Sequence, residues 1–116
     1  MQAFTLARMS ELGNKRRMFS KMLVRLCLEA ERLGYEYSFE YTKRCESCPI
    51  GHPQSTHNVG LAADLNLYKR NSDGELVYIR TGEGHDQLHD YWDHIGGAER
   101  IENDANHYSL EWQGVR

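Results

Sequence analysis

The chain has 116 residues, 40% of them apolar and 27% charged, and its 14 basic and 17 acidic side chains leave a net charge of -3. That length supports one hydrophobic core and not two, so a single domain spanning residues 1–116 is expected. The acidic balance argues against a nucleic-acid binder, whose affinity rests on neutralising phosphates, and no run approaches the roughly 18 apolar residues of a membrane span.

The first residues, Met1-Gln-Ala-Phe-Thr-Leu-Ala-Arg-Met9, lack a basic region followed by a hydrophobic core of useful length. A conventional signal peptide is therefore not expected. From about Ser10 to Leu33 the pattern is helical. Met18, Met22, Leu26, Ala30 and Leu33 recur at three- and four-residue spacing, and Leu23 and Cys27 widen the stripe. Gly13-Asn14 could delay the start to near Asn14, and Gly34 supplies a left-handed stop. Lys15-Arg16-Arg17 reads as a solvated helix face.

Tyr35 to Tyr41 alternates and is rich in aromatics, which predicts a strand. A long polar connection with Pro49 and Pro53 then runs from Thr42 to Thr56, the kind of loop that commonly walls an active site. Ala62 to Leu67 and Leu76 to Ile79 are the next strands, joined through the turn signal Asn71-Ser-Asp-Gly74. A second helix is expected from Gly84 or His85 to Ile95, with Leu88, Trp92 and Ile95 facing inward and Gly96-Gly97 ending it. His107 to Trp112 is the last strand. The order predicts an α+β domain whose small antiparallel sheet is covered by helices.

Three cysteines are a poor disulfide framework. Cys27 falls on the apolar helix face and reads as a buried thiol. Cys45-x-x-Cys48 fits two free thiols, a redox pair, or half of a structural zinc site completed by His52 and His57.

The stretch Ser55-Thr-His-Asn-Val-Gly-Leu-Ala-Ala-Asp64 carries the sharpest chemistry. It sets His57 on a loop before a strand and Asp64 on that strand. An isolated carboxylate among Leu61, Ala62, Ala63 and Leu65 needs a metal, a cation or several donors. His107, in Asp104-Ala-Asn-His107, is the best third ligand, and two histidines with one carboxylate leave an open position as in catalytic zinc sites. Alternation puts Asn66 on the Asp64 face, where it could support the ligands. His85 and His89 stand one helical turn apart and could chelate a second ion, but acidic neighbours favour a solvated face for them and for His94.

Ser55-x-His57-x-x-Gly60-x-Ala62-x-Asp64, followed about forty residues on by Asp104-x-x-His107, resembles the zinc peptidases of the VanY type. These comprise D-alanyl-D-alanine carboxypeptidases and related phage endolysins that cut between L-alanine and D-glutamate. The resemblance spans roughly Tyr41 to Trp112 and implies a Hedgehog/DD-peptidase-like fold with Zn2+ in a cleft on the sheet. It implies His57, Asp64 and His107 as zinc ligands and Asp104 as general base. Carboxypeptidase members often carry Glu at the position of Asp104, so aspartate shifts the expected bond towards L-alanyl-D-glutamate. Glu111 is the rival base, about 13 Å along an extended strand from His107.

Arg44 lies near where the family places an arginine that holds the substrate carboxylate or carbonyl. Lys43 competes for that role, and Cys45 replaces the serine usual after the arginine. Ser55 matches the motif's serine, as a loop support or substrate contact. The resemblance further implies a peptidoglycan stem peptide as substrate and a monomer with no nucleic-acid partner and no stable membrane insertion. Such an enzyme would be made in the host cytoplasm and would act on the wall in the periplasm.

Overall fold

The computed structural model describes residues 2–40 and 55–116, with only the backbone for residues 2–9. Arg44, Lys43, Cys45, Cys48 and His52 therefore lie outside the described residues, as does Tyr41 at the end of the expected first strand.

Helix α1 spans Gln2–Arg32, starting earlier than the sequence suggested. Gly13 does not break it, because one interior glycine costs only about 1 kcal/mol relative to alanine and the strong helix formers Glu11, Leu12, Lys15 and Arg16 surround Gly13-Asn14. It stops by geometry. Gly34 takes φ 88, its N–H donates to the Glu31 carbonyl, and Tyr35 N–H donates to the Ala30 carbonyl, so the last carbonyls are satisfied.

The buried stripe is Phe19, Met22, Leu26 and Ala30. This corrects the expected face, since Met18 is 55% exposed. Phe19 displaces Met18 because its ring meets the Trp92 indole edge to face, with centroids 5.9 Å apart. Leu23, Cys27 and Leu33 flank the stripe half-buried, so Cys27 is not the fully buried thiol expected.

The sheet is antiparallel throughout, and its central strand is β2, Ala62–Arg70. Strand β1, Glu36–Phe39, pairs with it as Phe39↔Leu65, and β3, Leu76–Ile79, pairs as Leu67↔Ile79. β2 is three residues longer than expected because Tyr68, Lys69 and Arg70 continue a hairpin into solvent. Asn71 closes it, its side-chain oxygen accepting from Asp73 N and Glu75 N at 2.9 Å each.

Strand β4, His107–Ser109, pairs with the start of β2, Ala62↔Ser109 and Asp64↔His107. It is shorter than expected; beyond it the chain folds back through a Trp112↔Val115 bridge. Helix α2, His85–His94, packs with α1 over one face of the sheet. Gly97 follows it, where a Cβ would overlap the Trp92 indole, whose Nε1 donates to the Ser109 carbonyl at 2.9 Å.

Alternation along β2 sends Leu61, Ala63, Leu65 and Leu67 into the core beneath the helices, with Tyr108 and Leu110 beside them. Asp64 and Asn66 consequently face the other way, as does His107 opposite Asp64. The result is a small α+β fold in which the helices own one sheet face and a polar cluster occupies the other. No helix among the described residues is long and apolar enough to cross a membrane.

Candidate metal centre

His57 is delivered by a 3-10 turn, Thr56–Val59. Ser55 caps its start, its hydroxyl accepting from His57 N at 3.3 Å. Gly60 ends it in the left-handed region (φ 75, ψ 29), donating to the His57 carbonyl at 3.2 Å, and Leu61 N donates to the Thr56 carbonyl at 2.9 Å. From α1, Arg16 Nε donates to the Val59 carbonyl at 2.7 Å. The turn therefore leads directly into β2, whose third residue, Asp64, rises beside the histidine. Ser55 acts here as a support for the loop.

The register of β2 and β4 then sets His107 across from Asp64. His57 Nε2 lies 3.2 Å from Asp64 Oδ1 and 3.2 Å from His107 Nδ1, and His107 Nδ1 lies 3.6 Å from the same carboxylate oxygen. Ligands bonded at about 2.0–2.1 Å to a tetrahedral zinc stand about 3.3–3.4 Å apart, so the three edges match the face of such a site.

All three residues are buried. Asp64 Oδ1 has no hydrogen-bond partner among the described residues although two ring nitrogens stand beside it. A divalent ion at the centre of the triangle would satisfy that oxygen, so the donors present fit a metal. Burial works to raise the Asp64 carboxyl, but the His107 and His57 imidazoles outweigh it and hold the group well below the usual carboxylate range. The Asp64 carboxylate thus stays anionic.

Asp104 stands next to this triangle and outside it. Asn103 adopts φ 62 and starts a turn in which Asp104 N donates to the Ile101 carbonyl and His107 N to the Asp104 carbonyl, both at 3.2 Å. The turn brings Asp104 Oδ2 to 3.9 Å from His107 Nδ1. Its side chain is 46% exposed against 10% or less for the other three, which suits a proton acceptor facing solvent better than a ligand. A separate cleft of about 780 Å³ lies between Arg80, Asp93 of α2, Glu99, Arg100, Asn103 and Ala105, and neither Asp104 nor a member of the triangle lines it. Glu111 is exposed beyond the end of β4.

Asn66 supports this turn, with no bond to the ligands themselves: its Oδ1 accepts from Asn106 Nδ2 at 3.1 Å and from the Tyr78 hydroxyl at 3.4 Å. Trp92 is fully buried in the core, and Trp112 is half-buried with Lys15 Nζ 6.0 Å from its ring centre.

The expected solvated face on α2 needs correcting for two of its three histidines. His94 is exposed, but His85 and His89 are 0% and 3% exposed and share the inward stripe with Leu88 and Trp92. Their 85-88-89-92 spacing was an inward stripe all along; the polar identity of histidine concealed it. Tyr108 is what makes that burial possible. His85 Nδ1 is 2.9 Å from its hydroxyl, and the His89 ring stacks on it at 4.2 Å and 11°. These two do not join a metal-binding group of three among the described residues.

Burial pushes both rings down to about 4. Since an unfolded histidine titrates near 6.5, the unfolded chain binds more protons between these values. Stability should be full above about pH 6.5 and fall as pH drops towards 4, by up to about 1.4 kcal/mol per pH unit for each ring. The depressed Asp64 carboxyl acts in the same direction further into acid. Denaturant unfolding of the metal-free protein across this range checks the slope, which should flatten in a His85→Gln, His89→Gln variant. A flat wild-type profile would contradict it.

No protein-family model matches the chain, and neither a characterised protein nor a solved structure does.

Proposed function

We propose that the chain is a zinc-dependent peptidase of peptidoglycan stem peptides, preferring the L-alanyl-D-glutamate bond in the manner of a phage or prophage endolysin. The observation that carries this reading is the buried His57–Asp64–His107 triangle with a half-exposed carboxylate, Asp104, beside its third member. A purely structural ion would favour a closed set of four protein ligands, whereas the set among the described residues, three with a carboxylate beside them, has the usual catalytic pattern.

Zinc bound there would supply a Lewis acid and make an attacking water more acidic. Asp104 would serve as general base, taking a proton from the water that attacks the peptide carbonyl and returning it to the departing amine. His57, Asp64 and His107 would hold the ion and exchange no proton with the substrate. Arg44 would bind a substrate carboxylate or the polarised carbonyl, with Ser55 holding the His57 loop and bordering the substrate.

Mass spectrometry of sacculi digested by the purified protein tests the reading. It predicts new L-alanine carboxyl ends and D-glutamate amino ends. Loss of terminal D-alanine alone would indicate a carboxypeptidase, and unchanged muropeptides would overturn the peptidase reading altogether.

A further inference from the structure

We infer that His89 is the positioning residue for the turn carrying Asp104 and His107. Its Nε2 lies 2.7 Å from the Ala105 carbonyl, the shortest tie holding that turn to the helices. A carbonyl can only accept, so Nε2 carries the ring proton and Nδ1 the lone pair. Nδ1 is buried without a partner among the described residues. A leucine at this position would continue the apolar stripe of Leu88 and Trp92 and avoid that unpaired nitrogen. The histidine carries that cost, and what it provides is a directed N–H.

The direction is well fixed. The ring lies flat on Tyr108 at 4.2 Å, and the Tyr108 hydroxyl is in turn bonded to His85 Nδ1 at 2.9 Å. The turn's own hydrogen bonds are long, 3.2 Å from Asp104 N to Ile101 O and from His107 N to Asp104 O. Its second half is anchored to β2, since Leu65 N donates to the Asn106 carbonyl at 2.8 Å and Asn106 Nδ2 to Asn66 Oδ1. Among the described residues, His89 alone reaches the Ala105 carbonyl from the helix side. Removing it leaves His107 partly held by β2 while the Asp104 half loses its anchor.

The catalytic part of this inference rests on the peptidase reading, but the positioning of His107 rests on the metal site alone. Three variants on the full chain separate them: His89→Phe, which keeps the ring on Tyr108 and removes the donor; His89→Gln, whose amide can donate from the same reach; and Asp104→Asn. In competition with a chromophoric chelator, His89→Phe should weaken zinc binding about 10-fold, at the low end for supporting partners of metal ligands, and His89→Gln should restore it to within about threefold. On a stem peptide, His89→Phe should lower kcat by about 10- to 100-fold with KM little changed, because a displacement of about 1 Å can cost 10²-fold. It should add little further loss in an Asp104→Asn background, as expected of residues acting through one another.

Equal losses for Phe and Gln, or the same fold-loss with and without Asp104, would overturn the positioning role. If no peptide is cleaved by any form, the zinc-affinity comparison still decides it. Should His89→Phe fail to fold, two-bond nitrogen–proton NMR correlations on the wild-type, metal-free protein decide instead. They should show His89 neutral and protonated at Nε2 at pH 7; protonation at Nδ1 would overturn the inference.

Discussion

Replacing His57 or His107 by alanine should take the protein from one tightly held zinc per chain to a weakly loaded form without peptidase activity. Each histidine contributes one of the three candidate ligand atoms found among the described residues, all within 4.8 Å of one another. With two left, a divalent ion would have to replace the missing nitrogen with water, a weaker partner than an imidazole fixed in place. The loss in affinity should therefore exceed the roughly 10- to 100-fold that supporting residues around a metal typically cost. The fold should survive, because both rings lie on the sheet face opposite the helical core. Replacing Cys45 and Cys48 together by serine should leave zinc content unchanged. Metal analysis after dialysis against a weak chelator, with circular dichroism on the same samples, reads all of these. Full zinc in both histidine variants would remove the assigned ligands.

Asp104→Asn should have the opposite signature: the zinc stays and turnover collapses. The amide fits the space of the carboxylate, and Asp104 lies outside the ligand triangle, so metal content and most substrate affinity should be retained. What is lost is the ability to accept a proton. General acid–base catalysis contributes about 10²–10⁴-fold, and kcat on a defined L-alanyl-γ-D-glutamyl peptide should fall in that range or further. Glu111→Gln should cost far less, since Glu111 is exposed past the end of β4. Near-normal turnover in fully metallated Asp104→Asn would rule it out as the base. A selective collapse in Glu111→Gln would transfer the role.

How much of this could be read from the sequence follows from where the information is local. Asp64 stood out because a carboxylate inside Leu61-Ala-Ala-Asp-Leu is costly without a partner, and alternation alone put it on the face away from the core. His57 and Gly60 sat at fixed offsets from it, so a turn running into the strand was expected. That His107 lands opposite Asp64 depends on the register of β4 against β2, which no local pattern specifies; only the paired motifs pointed to it. Met18 was misplaced because Met18 and Phe19 are equally apolar, and the choice between adjacent helix faces was decided by a tertiary partner, Trp92.

His89 was misread for a related reason. Histidine among Asp86, Gln87 and Asp90 looks solvated until Tyr108 supplies a ring to stack on and Ala105 a carbonyl to bond. The early start of α1 shows the limit of punctuation signals, since one glycine inside a long run of helix formers is affordable. The extra length of β2 came from the hairpin closed by Asn71, which lets a polar, solvent-facing segment stay paired.

The central claim is that one divalent ion is held by nitrogen and oxygen from His57, Asp64 and His107. Cobalt substitution tests it most directly, because thiolate ligation announces itself by intense near-ultraviolet charge-transfer bands while a nitrogen/oxygen site shows only the weaker visible bands. The protein should take up one cobalt per chain, show the visible bands alone, and lose them in His57→Ala. Charge-transfer bands that vanish when Cys45 and Cys48 are replaced would contradict the account and assign the metal to a cysteine site.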